Sequence, residues 1–185
     1  MTEPHSSETG RGQEDTAARA DGKDGAVVLP PLDPAVRLHQ ALLARRETVA
    51  AAESLTAGLF CAALASVPGA SATLRGGMVV YATDLKTALA GVPEDLLAGH
   101  GPVSPETARA LAEGARSRCA ATWGVGLTGV AGPDPVDGHG PGLVYLGFSD
   151  GRRTDVTELD LPGDRAAVRT GAVEAALLGL LDRLG

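Results

Sequence analysis

The chain has 185 residues, enough for one domain whose core is large enough to dispense with disulfides or a structural metal. Aromatic residues make up 3% of the chain and the formal net charge is −7, which argues against a nucleic-acid partner. Nucleic acids bind through aromatic stacking and through clustered Lys and Arg on phosphates. No apolar run approaches the ~20 residues that cross a bilayer, and no secretory signal is recognisable. The two cysteines, Cys61 and Cys119, lie far apart in the sequence and form no disulfide framework, which predicts a reduced, cytoplasmic protein. We predict no membrane partner.

The first part of the chain has the composition of a disordered segment. Residues 1–25 contain no Val, Ile, Leu, Phe, Trp or Tyr, so they cannot bury enough apolar area to offset the entropy of ordering. Asp33 and Pro34 then supply a helix N-cap followed by proline in the first turn. We therefore predict a disordered N-terminal tail over 1–32 and a single folded domain over 33–185.

Helical and strand patterns alternate along the predicted domain. Helices are predicted to begin near Asp33, Leu55, Thr83, Ser104 and Asp164, where caps or 3.6-residue periodicity appear. Strands are predicted over 48–53, 77–81, 122–128, 142–148 and 153–161. This alternation predicts an α/β sandwich, in which helices cover a sheet.

Three segments have the form of a strand end followed by a loop, which is where α/β sheets gather ligands. Ser54 follows the first strand, and backbone N–H groups of the helix behind it could bind an anion, although serine is also a common cap. Lys86 is the only lysine in the predicted domain and could be a solvated surface charge. Unlike arginine, however, lysine can lose its proton near neutral pH. The third segment is the Gly-rich loop over 128–134, which lacks the Walker and dinucleotide patterns.

Other chemistries find little support in the sequence. His5, His39, His100 and His139 form no metal-ligand spacing, so we predict no metal site and no cofactor. No Gly-x-Ser-x-Gly elbow occurs either. Composition and spacing alone therefore predict only a soluble α/β protein with an anion-binding site.

Several segments in the same order and spacing resemble the CinA C-terminal domain family. They are AESLTAG (52–58), VPGAS (67–71), VVYATDLKTALAGV (79–92), HGPVSPETA (100–108), LTGVAGPD (127–134) and GDRAAVR (163–169). The resemblance extends from about Pro34 to Leu184. It implies a three-layer α/β/α sandwich with a mixed sheet. The enzymatic members of the family are nicotinamide mononucleotide deamidases, so it also implies amide hydrolysis on a small nucleotide.

The resemblance assigns roles to individual residues. Ser54 takes the place of the nucleophile, Lys86 that of its base, and Tyr81 that of a tyrosine beside them, able to orient the amine or relay a proton. The implied substrate-binding residues are Thr56, Ala57 and Gly58 in the first segment, Thr128, Gly129, Ala131 and Gly132 in the loop, and Arg165 and Arg169, which could meet a phosphate. No metal is required by this mechanism. An open sheet edge or apolar helix face could in addition invite a homo-oligomer.

The sequence departs from the family pattern around the implied pocket. Leu55 replaces the usual cysteine, Ala57 the usual glycine, and the segment 134–137 an expected pair of glycines. A Cβ at residue 57 could crowd a phosphate or shift the turn. These departures leave an alternative open, a non-catalytic nucleotide-binding or competence-associated accessory protein on the same fold.

Overall fold

The computed structural model describes residues 32–185. The tail predicted over 1–32 lies outside the described residues, apart from Leu32, which begins the first helix. The helices are α1 (Leu32–Arg45), α2 (Leu59–Ala65), α3 (Thr83–Ala88), α4 (Glu94–His100), α5 (Pro105–Arg118) and α6 (Arg165–Leu184). The strands are β1 (Val49–Glu53), β2 (Leu74–Val79), β3 (Trp123–Gly129), β4 (Leu143–Ser149) and β5 (Thr154–Asp160).

The strands form one mixed sheet in the order β2-β1-β3-β4-β5. Strand β1 pairs in parallel with both β2 and β3, whereas β4 and β5 are antiparallel to their neighbours. The mixed α/β architecture predicted above is confirmed. Because β1, β2 and β3 are parallel, their carboxyl ends lie at the same edge of the sheet, where the three candidate segments begin.

The larger core lies on the face of the sheet that α1, α2 and α6 cover. Alternate residues of the inner strands point to this face, as strand geometry requires, and pack against the apolar stripes of the three helices. Val125, Leu127 and Leu146 from the sheet are buried here together with Leu38 of α1 and Leu177 of α6. This packing places the start of α6 over the same edge of the sheet as Ser54.

Helix α5 packs on the opposite face, directly over glycines of the sheet. A Cβ on Gly126 would lie 2.3 Å from the carbonyl oxygen of Ala108, and one on Gly147 would lie 2.2 Å from the same atom. Glycine is therefore required at both positions for the helix to approach this closely. Ser104 caps α5 by accepting a hydrogen bond from the Thr107 N–H, so the helix begins above the carboxyl edge of the sheet.

Three boundaries differ from the sequence prediction. Strand β2 runs from Leu74 to Val79 rather than over 77–81, because Gly76 and Gly77 in an exposed edge strand remove the apolar alternation that marks a strand. Helix α2 begins at Leu59, not near Leu55, since the residues after Ser54 form a turn. Helix α4 was not predicted at all, because it has seven residues and buries none of them fully.

Across residues 32–185, every helix is too short or too polar to traverse a lipid bilayer.

Substituting Gly126 tests how tightly α5 is seated on the sheet. We expect Gly126→Ala to lower the free energy of unfolding by about 1–3 kcal/mol, because backbone atoms of the helix must move away from the new methyl group. The matched control is Gly99→Ala in α4, where an added Cβ meets no atom within 4 Å. That variant should be neutral or more stable by up to about 1 kcal/mol, since alanine favours helix. Urea denaturation measures both; equal effects would contradict the packing described.

Candidate active site

Ser54 and Lys86 form a buried pair at the carboxyl edge of the sheet. Ser54 directly follows β1, and its N–H donates to the carbonyl of Leu127 at 2.9 Å, which ties it to the end of β3. Lys86 reaches the same point from α3, and its Nζ lies 3.1 Å from Ser54 Oγ. The same nitrogen donates to the Val80 carbonyl at 3.0 Å. The exposed fractions are 8% for Ser54 and 1% for Lys86, so the pair is almost dry.

Burial changes the acid–base properties of Lys86. Desolvation disfavours the ammonium form and lowers the pKa of Lys86 from 10.5 to about 8. Within residues 32–185 no carboxylate forms an ion pair with the amine, which would have raised the pKa again. At neutral pH a neutral amine is therefore accessible at small cost beside the serine hydroxyl.

Glu53 holds the turn that carries Ser54. Its buried carboxylate accepts hydrogen bonds from the N–H groups of Gly58, Phe60 and Cys61 at 2.9, 3.1 and 3.0 Å. These donors form the start of α2, where a negative charge is stabilised by the helix dipole. The N–H groups at the start of α2 are therefore taken by a side chain of the protein, and an anion behind Ser54 would have to use the N–H groups of the preceding turn instead. Burial and the Glu53 charge also raise the pKa of the Cys61 thiol.

The turn between β1 and α2 is tight. Ala57 and Gly58 have φ angles of 50° and 96°, in the left-handed region. For an alanine this conformation costs about 1–2 kcal/mol, which the glycine usual at this position would avoid. The Ala57 side chain points to solvent, and the buried Thr56 Oγ1 has no hydrogen-bond partner among the described residues. Within the same residues, the N–H groups of Leu55 and Thr56 donate no hydrogen bond.

Arg169 fastens this turn to α6. Its Nε donates to the Leu55 carbonyl and its Nη2 to the Thr56 carbonyl, both at 2.9 Å. Two charge-assisted hydrogen bonds from one guanidinium fix the direction of the turn. The contacts of Arg169 are thus with the protein backbone beside the nucleophile candidate, on the far side of the turn from the cavity.

A cavity of about 240 Å³ opens over the Ser54–Lys86 pair. Of the residues proposed from the sequence, eight line it, and they are Ser54, Tyr81, Lys86, Thr128, Gly129, Ala131, Gly132 and Arg165. Four others do not line it, namely Thr56, Ala57, Gly58 and Arg169. Thr128 is buried in the wall and donates to the Pro102 carbonyl at 2.6 Å, which joins the end of β3 to the segment before α5.

Tyr81 and Arg165 form the rim of the cavity. Arg165 donates through Nη2 to the Tyr81 hydroxyl at 2.7 Å and through Nη1 to the Gly132 carbonyl at 2.8 Å. Tyr81 remains 54% exposed. Its hydroxyl oxygen thus accepts a hydrogen bond from Arg165. The hydrogen bonds of Lys86 go to Ser54 Oγ and the Val80 carbonyl and not to Tyr81.

Several residues that shape the site were given no binding role from the sequence, although Leu55 and the segment 134–137 were placed around the implied pocket. The additional lining residues are Leu55, Thr83, Pro102, Val103, Val130, Asp134 and Val136. Pro102 and Val103 precede the strong helix start at Ser104, but only the tertiary position of α5 shows that they close the wall. The role of Glu53 could have been predicted from its position, because a carboxylate at the end of a buried strand, immediately before a turn and a helix, can accept the N–H groups of that helix. Within residues 32–185 no cluster of three or more His, Cys, Asp or Glu could hold a metal.

The model of the family described as "CinA C-terminal domain" matches residues 33–184. This chain belongs to that family. The resemblance stated from the sequence segments is thereby confirmed, and the match spans nearly all of the described residues.

Curated relatives with 46% and 48% sequence identity are also named as CinA-like proteins. A "CinA-like protein" of Frankia casuarinae is 48% identical over 136 residues, which is 74% of this chain and 31% of the relative. A "CinA-like protein" of Acidobacterium capsulatum is 46% identical over 134 residues, covering 72% of this chain and 32% of the relative. This CinA-family chain therefore spans about a third of the length of the curated relatives it matches.

Solved structures of CinA proteins share the fold. A competence/damage inducible protein from Agrobacterium tumefaciens superposes with a TM-score of 0.80 at 31% identity, covering 84% of this chain and 97% of that one. A CinA superfamily protein from Klebsiella pneumoniae gives a TM-score of 0.81 at 27% identity, over 83% and 96% of the two chains. The sheet and its helices are thus those of the CinA superfamily.

Replacing the two arginines near the site separates their roles. We expect Arg169→Gln to lower the free energy of unfolding by about 2 kcal/mol, since two carbonyls in the turn lose charge-assisted donors. Arg165→Gln should change it by less than about 1 kcal/mol, because the Arg165 side chain and its partner Tyr81 are exposed to solvent. Urea denaturation at fixed pH measures both. An Arg169→Gln variant as stable as the wild type would show that the two hydrogen bonds of Arg169 do not stabilise the turn.

Proposed function

We propose that this CinA-family domain is a Ser/Lys amidohydrolase that converts nicotinamide mononucleotide to nicotinate mononucleotide and ammonia in the cytoplasm. The observation that carries the proposal is the buried contact of 3.1 Å between Lys86 Nζ and Ser54 Oγ at the base of a cavity. A serine hydroxyl needs an adjacent base to act as a nucleophile, and a desolvated lysine can serve as that base. The substrate class comes from the enzymatic members of the family that the sequence resembles.

The first half of the reaction forms an acyl-enzyme. Neutral Lys86 takes the proton of the Ser54 hydroxyl while Oγ attacks the carboxamide carbon, and the carbonyl electrons move onto its oxygen. The Lys86 ammonium then gives that proton to the amide nitrogen as the C–N bond breaks. Ammonia leaves, and Ser54 carries a nicotinoyl ester. One residue thus acts first as general base and then as general acid.

The second half restores the enzyme with the same two groups. Lys86, again neutral, takes a proton from a water molecule that attacks the ester carbon. Collapse of the second tetrahedral intermediate breaks the bond to Oγ, and the serine oxygen recovers its proton from the lysine. The released acid is nicotinate mononucleotide. No atom or electron is required beyond the nucleotide and one water molecule.

The oxyanion needs a donor close to the nucleophile. The N–H groups of Leu55 and Thr56 follow Ser54 in the turn and have no acceptor among the described residues. In hydrolases with a nucleophile at a strand-to-loop turn, the residue after the nucleophile supplies this N–H. We assign Leu55 to that role because it lines the cavity. One such donor is typically worth about 3 kcal/mol in the transition state.

The size of the cavity fits one end of the nucleotide. Its volume of about 240 Å³ lies below the roughly 300–1,000 Å³ of pockets that enclose whole drug-sized ligands. The pyridine ring and carboxamide would enter, while ribose and phosphate extend past the rim towards Arg165. Arg165 and Tyr81 then contact the substrate at the mouth of the cavity. The hydrogen bond between them holds both side chains in that position before the substrate binds.

The protonation state of Lys86 sets the pH dependence. With a pKa of about 8, roughly one tenth of the amine is neutral at pH 7 and most of it at pH 9. The base form therefore increases with pH across this range, and the rate should increase with it.

The second candidate is a nucleotide-binding protein without turnover. The observation in its favour is the strained Ala57, which departs from the family glycine in the turn beside Ser54. Such a protein would bind nicotinamide mononucleotide in the same cavity and release no ammonia.

Ammonia release from nicotinamide mononucleotide tests the proposal directly. The wild type should release ammonia, whereas Ser54→Ala and Lys86→Arg should lose activity by at least about a thousandfold, because the nucleophile or the titratable base is gone. Ser66→Ala is the matched control, since Ser66 is an exposed residue that follows α2 and its hydroxyl donates only to the Ala62 carbonyl. Its rate should equal that of the wild type.

The contradicting results are distinct for the two candidates. Turnover that survives in Ser54→Ala would refute the assigned nucleophile. A wild type that releases no ammonia but melts at higher temperature with the nucleotide would favour the binding protein, since a ligand at 100 times its Kd stabilises by about 2.7 kcal/mol.

A further inference from the structure

A second and larger cleft lies at the opposite end of the sheet from Ser54. Its volume is about 720 Å³, and its walls come from α5, the loop before α4 and the β4–β5 turn. Because Gly124 at the start of β3 pairs with Ser149 at the end of β4, the turn sits at the amino edge of the parallel strands. Helix α5 runs between the two sites and, with 14 residues, separates them by about 20 Å.

Positive charge is concentrated in this cleft. Five arginines line it, whereas the single lining carboxylate is Glu113; the arginines are Arg109, Arg116, Arg118, Arg152 and Arg153. Thirteen Lys and Arg residues occur in 32–185, so more than a third of them meet in one cleft. The cleft is therefore positively charged within a chain whose net charge is −7.

Two of the arginines are held in place by the backbone. Arg116 Nε donates to the Thr122 carbonyl at 3.1 Å, and Arg109 Nη1 donates to the Thr154 carbonyl. Within the described residues, the terminal nitrogens of Arg116 have no acceptor. A guanidinium fixed at one edge presents its remaining donors with little further loss of conformational entropy.

Glycines make room for these guanidinium groups. A Cβ on Gly151 would lie 2.2 Å from Arg116 Cζ, and one on Gly91 would lie 2.8 Å from Arg118 Nη2. Both glycines have positive φ angles, 86° and 75°, so each turn already needs glycine for its backbone. Because they have no side chains, Gly151 leaves room for the Arg116 guanidinium and Gly91 for that of Arg118.

The neighbouring carboxylates leave most of the positive charge uncompensated. Asp155 pairs with Arg153, while Glu113 accepts a hydrogen bond from Thr154 and Asp150 accepts the backbone N–H groups of Arg152 and Arg153. Across residues 32–185, the other four arginines of the cleft form no ion pair. The dipole of α5 accounts for cations in its last turn, Arg116 and Arg118, but not for those of the β4–β5 turn.

We propose that this arginine cleft binds a compact polyanion with at least two linked phosphate groups, that is, a small molecule containing a pyrophosphate. Guanidinium groups bind phosphate oxygens bidentately, and several of them can surround a pyrophosphate. The volume lies within the range of small-molecule pockets. A nucleic acid would need an extended basic face, whereas the charge here is confined to one concavity. The site is separate from the Ser54 cavity and does not depend on the function proposed for it.

Calorimetric titration of the full chain with inorganic pyrophosphate in 150 mM salt tests this proposal. We expect saturable binding at one site per chain. Arg116→Gln combined with Arg152→Gln should weaken that binding at least tenfold. Arg37→Gln in α1 combined with Arg46→Gln just after it removes the same charge from two exposed positions and should change binding less than twofold. The single variant Arg152→Gln, on an exposed turn, should fold normally and weaken binding by itself.

Three outcomes would overturn the proposal. The first is the absence of saturable pyrophosphate binding in the wild type. The second is an equal loss in the cleft variants and in the α1 control, which would indicate attraction by overall charge alone. The third is loss of binding in Arg165→Gln but not in the cleft variants, which would place the pyrophosphate at the rim of the Ser54 cavity.

Discussion

The carboxylate of Glu53 is the constraint on which the geometry of the site depends. It ends β1 and takes three N–H groups at the start of α2, so the chain between them must form a tight turn with Ser54 at its base. Arg169 closes the same turn from α6. The Glu53 carboxylate thereby accepts the hydrogen bonds that the start of α2 could otherwise donate to a ligand. The N–H groups of Leu55 and Thr56, next to Ser54, remain without an acceptor among the described residues and can stabilise the oxyanion in the proposed reaction. The turn is held by strong polar contacts because Ala57 adopts a conformation that alanine alone disfavours.

The second requirement is a dry position for the amine. Lys86 can be buried because the Val80 carbonyl and Ser54 Oγ each accept a hydrogen bond from its Nζ. The glycine-lined face of the sheet lets α5 bring Pro102 and Val103 over the cavity. A buried ammonium without a counter-ion costs stability, and the same desolvation lowers its pKa towards the range useful for a base. In this account the protein trades stability for reactivity at this residue, as functional sites commonly do.

Local signals at strand ends and helix starts predicted an α/β sandwich in which the segments of Ser54, Lys86 and Thr128 follow strand ends, whereas the mixed sheet was implied by the family resemblance. The sequence could not predict which polar groups satisfy one another. Glu53 accepts hydrogen bonds from the start of α2, which only the geometry of the turn reveals. The hydrogen bonds of Arg169 to the turn and of Arg165 to Tyr81 join segments that lie far apart in the chain. Three of the five arginines of the second cleft lie on α5 and two in the β4–β5 turn, and only the tertiary packing brings the two groups together. The exposed edge strand β2 was misplaced because glycines erased its alternation.

The proposed reaction depends most on Lys86 being a desolvated amine beside Ser54. The chain contains two lysines, Lys23 and Lys86, so NMR of the protein labelled at the lysine Cε and Nζ should give two resolvable titrations, assigned with Lys23→Arg. We predict that the Lys86 signal, identified as the one that remains in Lys23→Arg, titrates at about 8. A Lys86 signal that titrates near 10.5, like a solvated lysine, would contradict the proposed base and with it the Ser/Lys mechanism.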